Sequence, residues 1–113
     1  MSGTLILMCE RCGFPIAPGK GSIYATYQEI GAARDGDGRI HWYTRHDKCS
    51  EHLEESSYEL GADQLMTPGE LARWTAHLMA KRWFALTDWD DLLREVAGEI
   101  PACRVRVVAR RAA

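Results

Sequence analysis

The sequence predicts an α+β fold: an N-terminal β-hairpin half gathered around clustered cysteine and histidine, packed with a helical C-terminal half and a final strand. Three observations predict it. A C-x-x-C at Cys9 and Cys12 is answered 33 residues further on by an H-x-x-C at His46 and Cys49. Up to that point the chain reads as short strands broken by Gly and Pro. From Thr67 onward it reads as amphipathic helix.

The 113 residues suit one compact unit made of two regions, 1–62 and 63–113, and 46% hydrophobic with 27% charged residues is ordinary for a globular chain. A formal net charge of −2 argues against a protein that coats nucleic acid or anionic membrane indiscriminately. The apolar run at residues 5–8 is too short for a signal peptide or a membrane span. A cytoplasmic location is therefore expected, and in a reducing compartment a C-x-x-C serves metal binding or catalysis more often than a structural disulfide. The excess of Arg over Lys, with frequent Ala, Gly and Trp, suits a high-GC genome, and so small a chain suits a bacterial or bacteriophage accessory or regulatory protein. Nothing in the sequence fixes an oligomeric state.

Along the chain, residues 4–8 read as a strand that leads into Cys9, and the Gly-Phe-Pro-Ile-Ala-Pro-Gly run behind it as turn. The "GKGS" at residues 19–22 is no phosphate loop: five residues rather than four separate Gly13 from Gly19, and Ser22 stands one place late. Residues 21–30 and 39–46, rich in β-branched and aromatic side chains, are predicted to pair as a hairpin across the Asp-Gly turns at Asp35 and Asp37. Those two Asp lack the further oxygen ligands of a calcium loop. Residues 47–60 read as a helix with an acidic stripe of Asp47, Glu51, Glu54, Glu55 and Glu59, a solvated face or else a docking surface for a basic partner. Thr67-Pro68-Gly69-Glu70 then starts a helix, with Thr as cap, Pro first and Glu third, that is expected to run to about Phe84 and to bury Leu71, Trp74 and Leu78. Thr87 or Asp88 should cap a shorter helix with Trp89, Leu92, Leu93 and Val96 inward and Gly98 as its end. Residues 102–111 alternate as a closing strand, with Cys103, Val105 and Val107 on one face, Arg104 and Arg106 on the other, and Arg110 and Arg111 extending a basic tail. Cys103 in that setting reads as a small buried hydrophobe.

The chemistry sits in the two Cys/His pairs. A C-x-x-C in a tight knuckle aims two sulfurs at one point, and residues three apart on a first helical turn aim two more ligands from the opposite side. Cys9, Cys12, His46 and Cys49 are thus the predicted ligands of one structural Zn²⁺ per chain. His52, three residues after Cys49, would close the set equally well by spacing; His46 is preferred because it lies at the entry to the predicted helix. His41 is assigned instead to a strand face beside Tyr43. A four-ligand set rich in Cys is closed, whereas a catalytic zinc keeps an open position. The deaminase order of His-x-Glu followed by Pro-Cys-x-x-Cys is missing.

"CERCG", a hairpin and then "WYTRHDKC" entering a helix resemble the treble-clef zinc modules, in particular the first half of a LIM domain, over about residues 5–60. Cys9, Cys12, His46 and Cys49 match the ligand positions of that family one for one, and Gly13 matches the glycine after its second Cys. The resemblance implies a zinc-bound treble-clef half. The long spacer and the lack of a second such module mean that it implies no LIM-like partner. HNH-type nucleases share the treble clef, with His46-Asp47 in the place of their catalytic His, but their Asp-His pair is missing.

Two readings of function follow. In the first, the protein is a zinc-held protein-interaction or regulatory module that docks a protein partner, a use to which its four Trp are suited. The alternative is nucleic-acid binding through Arg39, His41, Tyr43 and Arg45 on one strand face, with Tyr24 or Tyr27 beside them and the Arg-rich tail adding charge. A helix-turn-helix at residues 68–97 is disfavoured, because the second helix would present "DWDD" to phosphate.

Overall fold

The computed structural model describes residues 3–49 and 56–109. Within them the chain forms two antiparallel sheets and three α-helices, in the order β1 (Gly3–Leu7), β2 (Gly21–Thr26), α1 (Tyr27–Arg34), β3 (Tyr43–His46), β4 (Ser57–Gly61), α2 (Pro68–Leu78), α3 (Trp89–Ala97) and β5 (Val105–Ala109). β1 and β5 pair end to end, from Gly3 opposite Ala109 to Leu7 opposite Val105. In the second sheet β2 is central, with Gly21 opposite His46 of β3 and Ser22 opposite Gly61 of β4. Ile23 and Ala25 of β2, fully buried, point with Leu60 into the core.

The predicted hairpin is corrected in its connection. β2 and β3 do pair antiparallel, but the first strand stops at Thr26, the second starts only at Tyr43 so that Arg39 and His41 precede it, and the link contains helix α1. Thr26 is the reason: its hydroxyl accepts the N–H of Glu29 at 3.2 Å and lies equally close to the Glu29 carboxylate. The Thr-x-x-Glu signature of a helix start thus outcompetes the strand propensity of Tyr27 and Ile30. The Asp-Gly turn survives as the exit from α1, where Gly36 and Gly38 have φ of 92° and 82° that side-chain-bearing residues rarely adopt.

The predicted helix over 47–60 is also corrected. Its described parts are a single 3₁₀ turn, Asp47–Cys49, and strand β4. Tyr58 and Leu60 alternate toward the core, and β4 covers the edge of β2 that β3 leaves free. Glu59 therefore sits on a strand, with Ser22 Oγ 3.5 Å from its carboxylate, and Asp47 in the 3₁₀ turn; Glu51, Glu54 and Glu55 of the expected stripe lie outside the described residues.

Helix α2 starts as its sequence predicts. Thr67 accepts the N–H of Glu70 at 3.1 Å, and the Glu70 carboxylate reaches back to the N–H of Met66 at 3.1 Å. It ends at Leu78, short of the expected Phe84, and a 3₁₀ turn, Phe84–Leu86, follows. The chain turns there because Ile40 is hydrogen-bonded between the two halves, donating to Leu86 O and accepting from Asp88 N. In this arrangement Trp83 packs at a tilt against Trp42 instead of extending the helix, while Met79 is exposed. Helix α3 ends at Gly98, φ 78°, as expected. Leu93, expected inward, is partly exposed, and its place in the interior is taken by Glu95. Cys103 is exposed rather than buried, and Arg104, expected on a solvent face, is only 5% exposed.

One core cluster takes residues from both regions, Leu5, Ile23, Trp42 and Leu60 together with Leu78, Trp89 and Leu92. Trp42 is at its centre, with ring centroids of Trp89, Trp83 and Tyr58 at 5.0, 5.9 and 6.2 Å. Trp74 packs against the same cluster, so none of the four Trp is a free surface anchor. Among the described residues no helix is long and apolar enough to cross a membrane.

Gly21 marks the closest approach in the fold: a Cβ there would meet the Arg45 carbonyl, the Ile16 side chain and His46 Cα. Gly21→Ala is expected to lower stability by about 1–3 kcal/mol in urea unfolding. Thr67→Ala should cost about 1 kcal/mol by removing the α2 cap.

Candidate metal centre

The knuckle is built by backbone bonds. Beyond β1, Cys9 N–H donates to Phe14 O and Gly13 N–H to Cys9 O, both at 2.9 Å, and Gly13 takes φ 78° to close the turn. Opposite it, β3 ends at His46 and the 3₁₀ turn carries Cys49; Asp47 N–H donates to Lys20 O at 3.0 Å and pins this corner to the start of β2. His46 is thus the last residue of a strand, not part of a helical turn.

The structure brings Cys9, Cys12, His46 and Cys49 together, with one ligand atom from each all within 4.8 Å of one another. His46 Nδ1 is 3.3 Å from Cys12 Sγ and 3.8 Å from Cys49 Sγ. Ligands at tetrahedral positions around a zinc-sized ion stand about 3.5–3.8 Å apart, so these donors need only small shifts to hold one. The ring nitrogens are already allotted. Nε2 lies 2.9 Å from the Pro15 carbonyl, which can only accept, so the proton sits on Nε2 and the Nδ1 lone pair faces the sulfurs. His52, the alternative ligand, lies outside the described residues.

Electrostatics favour a thiolate at Cys9. Burial pushes its thiol up, but N–H groups of Cys12, His46 and Arg11 and the Cys12 thiol outweigh it and hold the pKa at about 6, below the ordinary 9.0. Cys49 is pushed the other way, by loss of solvent and then by its Cys9 and Cys12 neighbours. A cation held among these sulfurs would favour the thiolate over the thiol, so that its uptake would displace thiol protons.

A second cluster, missed from the sequence, adjoins the knuckle. Glu10, between the two knuckle cysteines, exchanges backbone and side-chain bonds with β3: its N–H donates to Thr44 O, and its carboxylate accepts Thr44 N–H, both at 2.9 Å. The buried Thr44 hydroxyl donates to Met8 O at 2.7 Å. His41 bridges onward, with Nε2 3.0 Å from Glu10 Oε2 and Nδ1 2.6 Å from Asp88 Oδ2. Asp88, at the N-cap position of α3, does not cap; Thr87 Oγ1 accepts the Trp89 N–H instead. The Asp88 carboxylate accepts from Trp42 N–H at 2.9 Å and from Arg104 Nη1 at 2.9 Å. Arg104 completes the series through Nε to Glu95 at 3.2 Å, while Glu95 also accepts the N–H groups of Cys103 and Arg104. The only hint of it in the sequence is Glu95, three residues after Leu92 on the apolar face of α3.

Hydrogen bonds to Asp88 and Glu10 raise His41 to about 9 against the opposing effect of burial. For Glu10 and Asp88, burial works toward a raised pKa but is outweighed by their bonds to His41 and to backbone N–H, so both are lowered. At neutral pH His41 is therefore an imidazolium held between the carboxylates of Glu10 and Asp88.

Of the proposed nucleic-acid face, Arg39 and His41 have paired charges. Arg39 donates to Thr87 O at 3.1 Å and ion-pairs with Asp90, and His41 is held as described. The carboxylates of "DWDD" therefore serve internal partners. Tyr43 stacks on Tyr24 with centroids 5.4 Å apart, and Arg45 lies over the Tyr43 ring at 5.6 Å. Arg110 and Arg111 lie outside the described residues.

In comparisons with known proteins, no family model matches the chain, and no curated protein or solved structure matches it. The class that fold and site define is a small α+β protein with a Cys₃His cluster able to hold a metal ion.

Two outcomes test the site. His46→Ala should reduce bound metal well below one per chain, whereas His52→Ala leaves it unchanged, as read by mass spectrometry under native conditions. For His41 the raised pKa stabilises the fold fully below the unfolded value of about 6.5, and that contribution is lost as pH climbs through about 9. The lowered pKa values of Glu10 and Asp88 act oppositely, contributing above their ordinary values and losing that contribution as pH falls through the folded ones. The Tm difference between wild type and His41→Gln should therefore be largest near pH 6 and close by about pH 10.

Proposed function

We propose that this protein is a small zinc module, treble-clef-like in its N-terminal half, in which Cys9, Cys12, His46 and Cys49 hold one structural Zn²⁺ and which acts in the cytoplasm by binding a protein partner rather than by catalysis. The observation that carries the reading is the convergence of four soft and borderline donors, from segments 34 positions apart, with His46 Nδ1 turned to the sulfurs by the bond from Nε2 to Pro15 O. Three sulfurs and an imidazole suit Zn²⁺ over the harder Mg²⁺ and Ca²⁺.

A closed four-ligand set leaves no position for substrate or metal-bound water. Both nitrogens of His46 are engaged, which weighs against its use as a nuclease base. The ion pairs of Arg39 and His41 likewise weigh against the nucleic-acid reading, since neutralised groups release few counterions from phosphate. A regulatory or adaptor role is supported by what the metal holds in place: Phe14, two residues past Cys12, is 69% exposed on the knuckle, where a rigid aromatic suits a protein contact.

Protein produced without added metal and weighed intact under native conditions should carry one zinc per chain. Removal by a strong chelator should lower Tm and broaden the transition, because metal-binding free energy is part of the folding free energy of a centre like this. Cys9→Ser should lose the metal and unfold the N-terminal half. A metal-free chain that remains fully folded would overturn the proposal.

A further inference from the structure

The charged series between the knuckle and helix α3 supplies none of the four Cys₃His donors, yet it is hydrogen-bonded from end to end. It begins inside the C-x-x-C itself. Glu10 binds Thr44 of β3, two residues before His46, so it sets the distance between the first ligand pair and the second. Through His41 and Asp88 it continues to Arg104, which is also tied to the knuckle by backbone: Met8 N–H, one residue before Cys9, donates to Arg104 O at 2.8 Å. Arg104 in turn holds Trp42 O at 3.0 Å and Glu95 of α3. Side chains of Asp88 and Arg104 are 12% and 6% exposed, so at this end the series is a low-dielectric connection in which removing one member costs its neighbour a partner, whereas His41 and Glu10 at the knuckle end are partly exposed.

We propose that the series Glu10–His41–Asp88–Arg104–Glu95 couples occupancy of the metal centre to the docking of α3 and β5, with His41 and Asp88 as positioning residues for the centre. The inference rests on the zinc reading above. Its physical content is reciprocal: if docked α3 and β5 hold the knuckle in the ligating geometry, bound metal stabilises their docking by the same factor. A partner that engages the helical half would thereby tune metal affinity, and metal loss would loosen the surface offered to that partner.

The test measures Zn²⁺ affinity of the full chain by competition with a chromogenic chelator, in wild type, Asp88→Asn and His41→Gln, with Asp90→Asn as control. Asp90 lies on the same helix and pairs with Arg39 and Arg94, outside the series. Loss of partners around a metal site weakens binding by about 10–100-fold, and a weakening of about 10-fold is expected in both series variants, with Asp90→Asn unchanged. As the reciprocal readout, Zn²⁺ should slow hydrogen exchange at the N–H groups of Trp42 and Arg104 in wild type, and slow it less in His41→Gln. If Asp88→Asn does not fold, the part-exposed His41→Gln still decides the matter. Unchanged affinity in a folded His41→Gln, or an equal loss in Asp90→Asn, overturns the coupling while leaving the metal site standing. A wild type that binds no zinc overturns the zinc reading itself.

Discussion

Four Cys and His side chains, two before position 13 and two after position 45, converge on one point, and the N-terminal architecture is arranged around that convergence. Antiparallel pairing of β2 with β3 places Gly21 opposite His46 and so delivers the second ligand pair beside the turn that follows the first. Close approach at this corner excludes a side chain at position 21, and the tight knuckle needs the left-handed backbone of Gly13. Thr44 then sutures the two segments, with its backbone paired to Glu10 and its hydroxyl to Met8. The geometry of the cluster is thus largely prepared by ordinary hydrogen bonds, so that a metal ion would meet donors already brought together.

Buried charge is the second organising feature. Glu95 and Arg104 would each be costly to desolvate alone, and such a pair contributes little net stability compared with apolar residues of the same volume. What it does contribute is definition. Glu95 satisfies the N–H groups of Cys103 and Arg104, where the chain enters β5, and Arg104 satisfies a carbonyl of the segment before β3. Apolar replacements could fill the space but would leave those backbone groups unpaired. The two regions therefore meet through a shared aromatic core around Trp42 and a polar seam around Asp88, and the seam fixes their register.

Short-range chemistry was legible in the sequence, whereas competition between distant segments was not. Thr67-Pro68 and Gly98 act through their immediate neighbours, and both mark helix ends as expected. The four members of the Cys₃His cluster were legible because C-x-x-C and H-x-x-C are short local spacings. The helical pattern after residue 47 failed at 57–61, where the open edge of β2 recruits Tyr58 and Leu60 as a strand. Strand propensity after Gly21 failed at Tyr27, where a cap that was itself readable, Thr26 with Glu29, was overlooked. Cys103 and Arg104 exchanged their expected environments because alternation alone does not register a carboxylate such as Glu95 waiting in the interior. Of the two expected caps, Thr87 and Asp88, Thr87 takes the Trp89 N–H, while the partners of Asp88 lie more than a dozen residues away in either direction.

Whether these residues form a single Cys₃His coordination sphere is read from X-ray absorption at the zinc edge of the metal-loaded protein. Such a sphere gives a four-coordinate shell of three sulfurs at about 2.3 Å and one nitrogen at about 2.0 Å, with the outer-shell scattering of an imidazole. A shell of oxygen and nitrogen alone, or of four sulfurs with Cys103 recruited in place of His46, would contradict it.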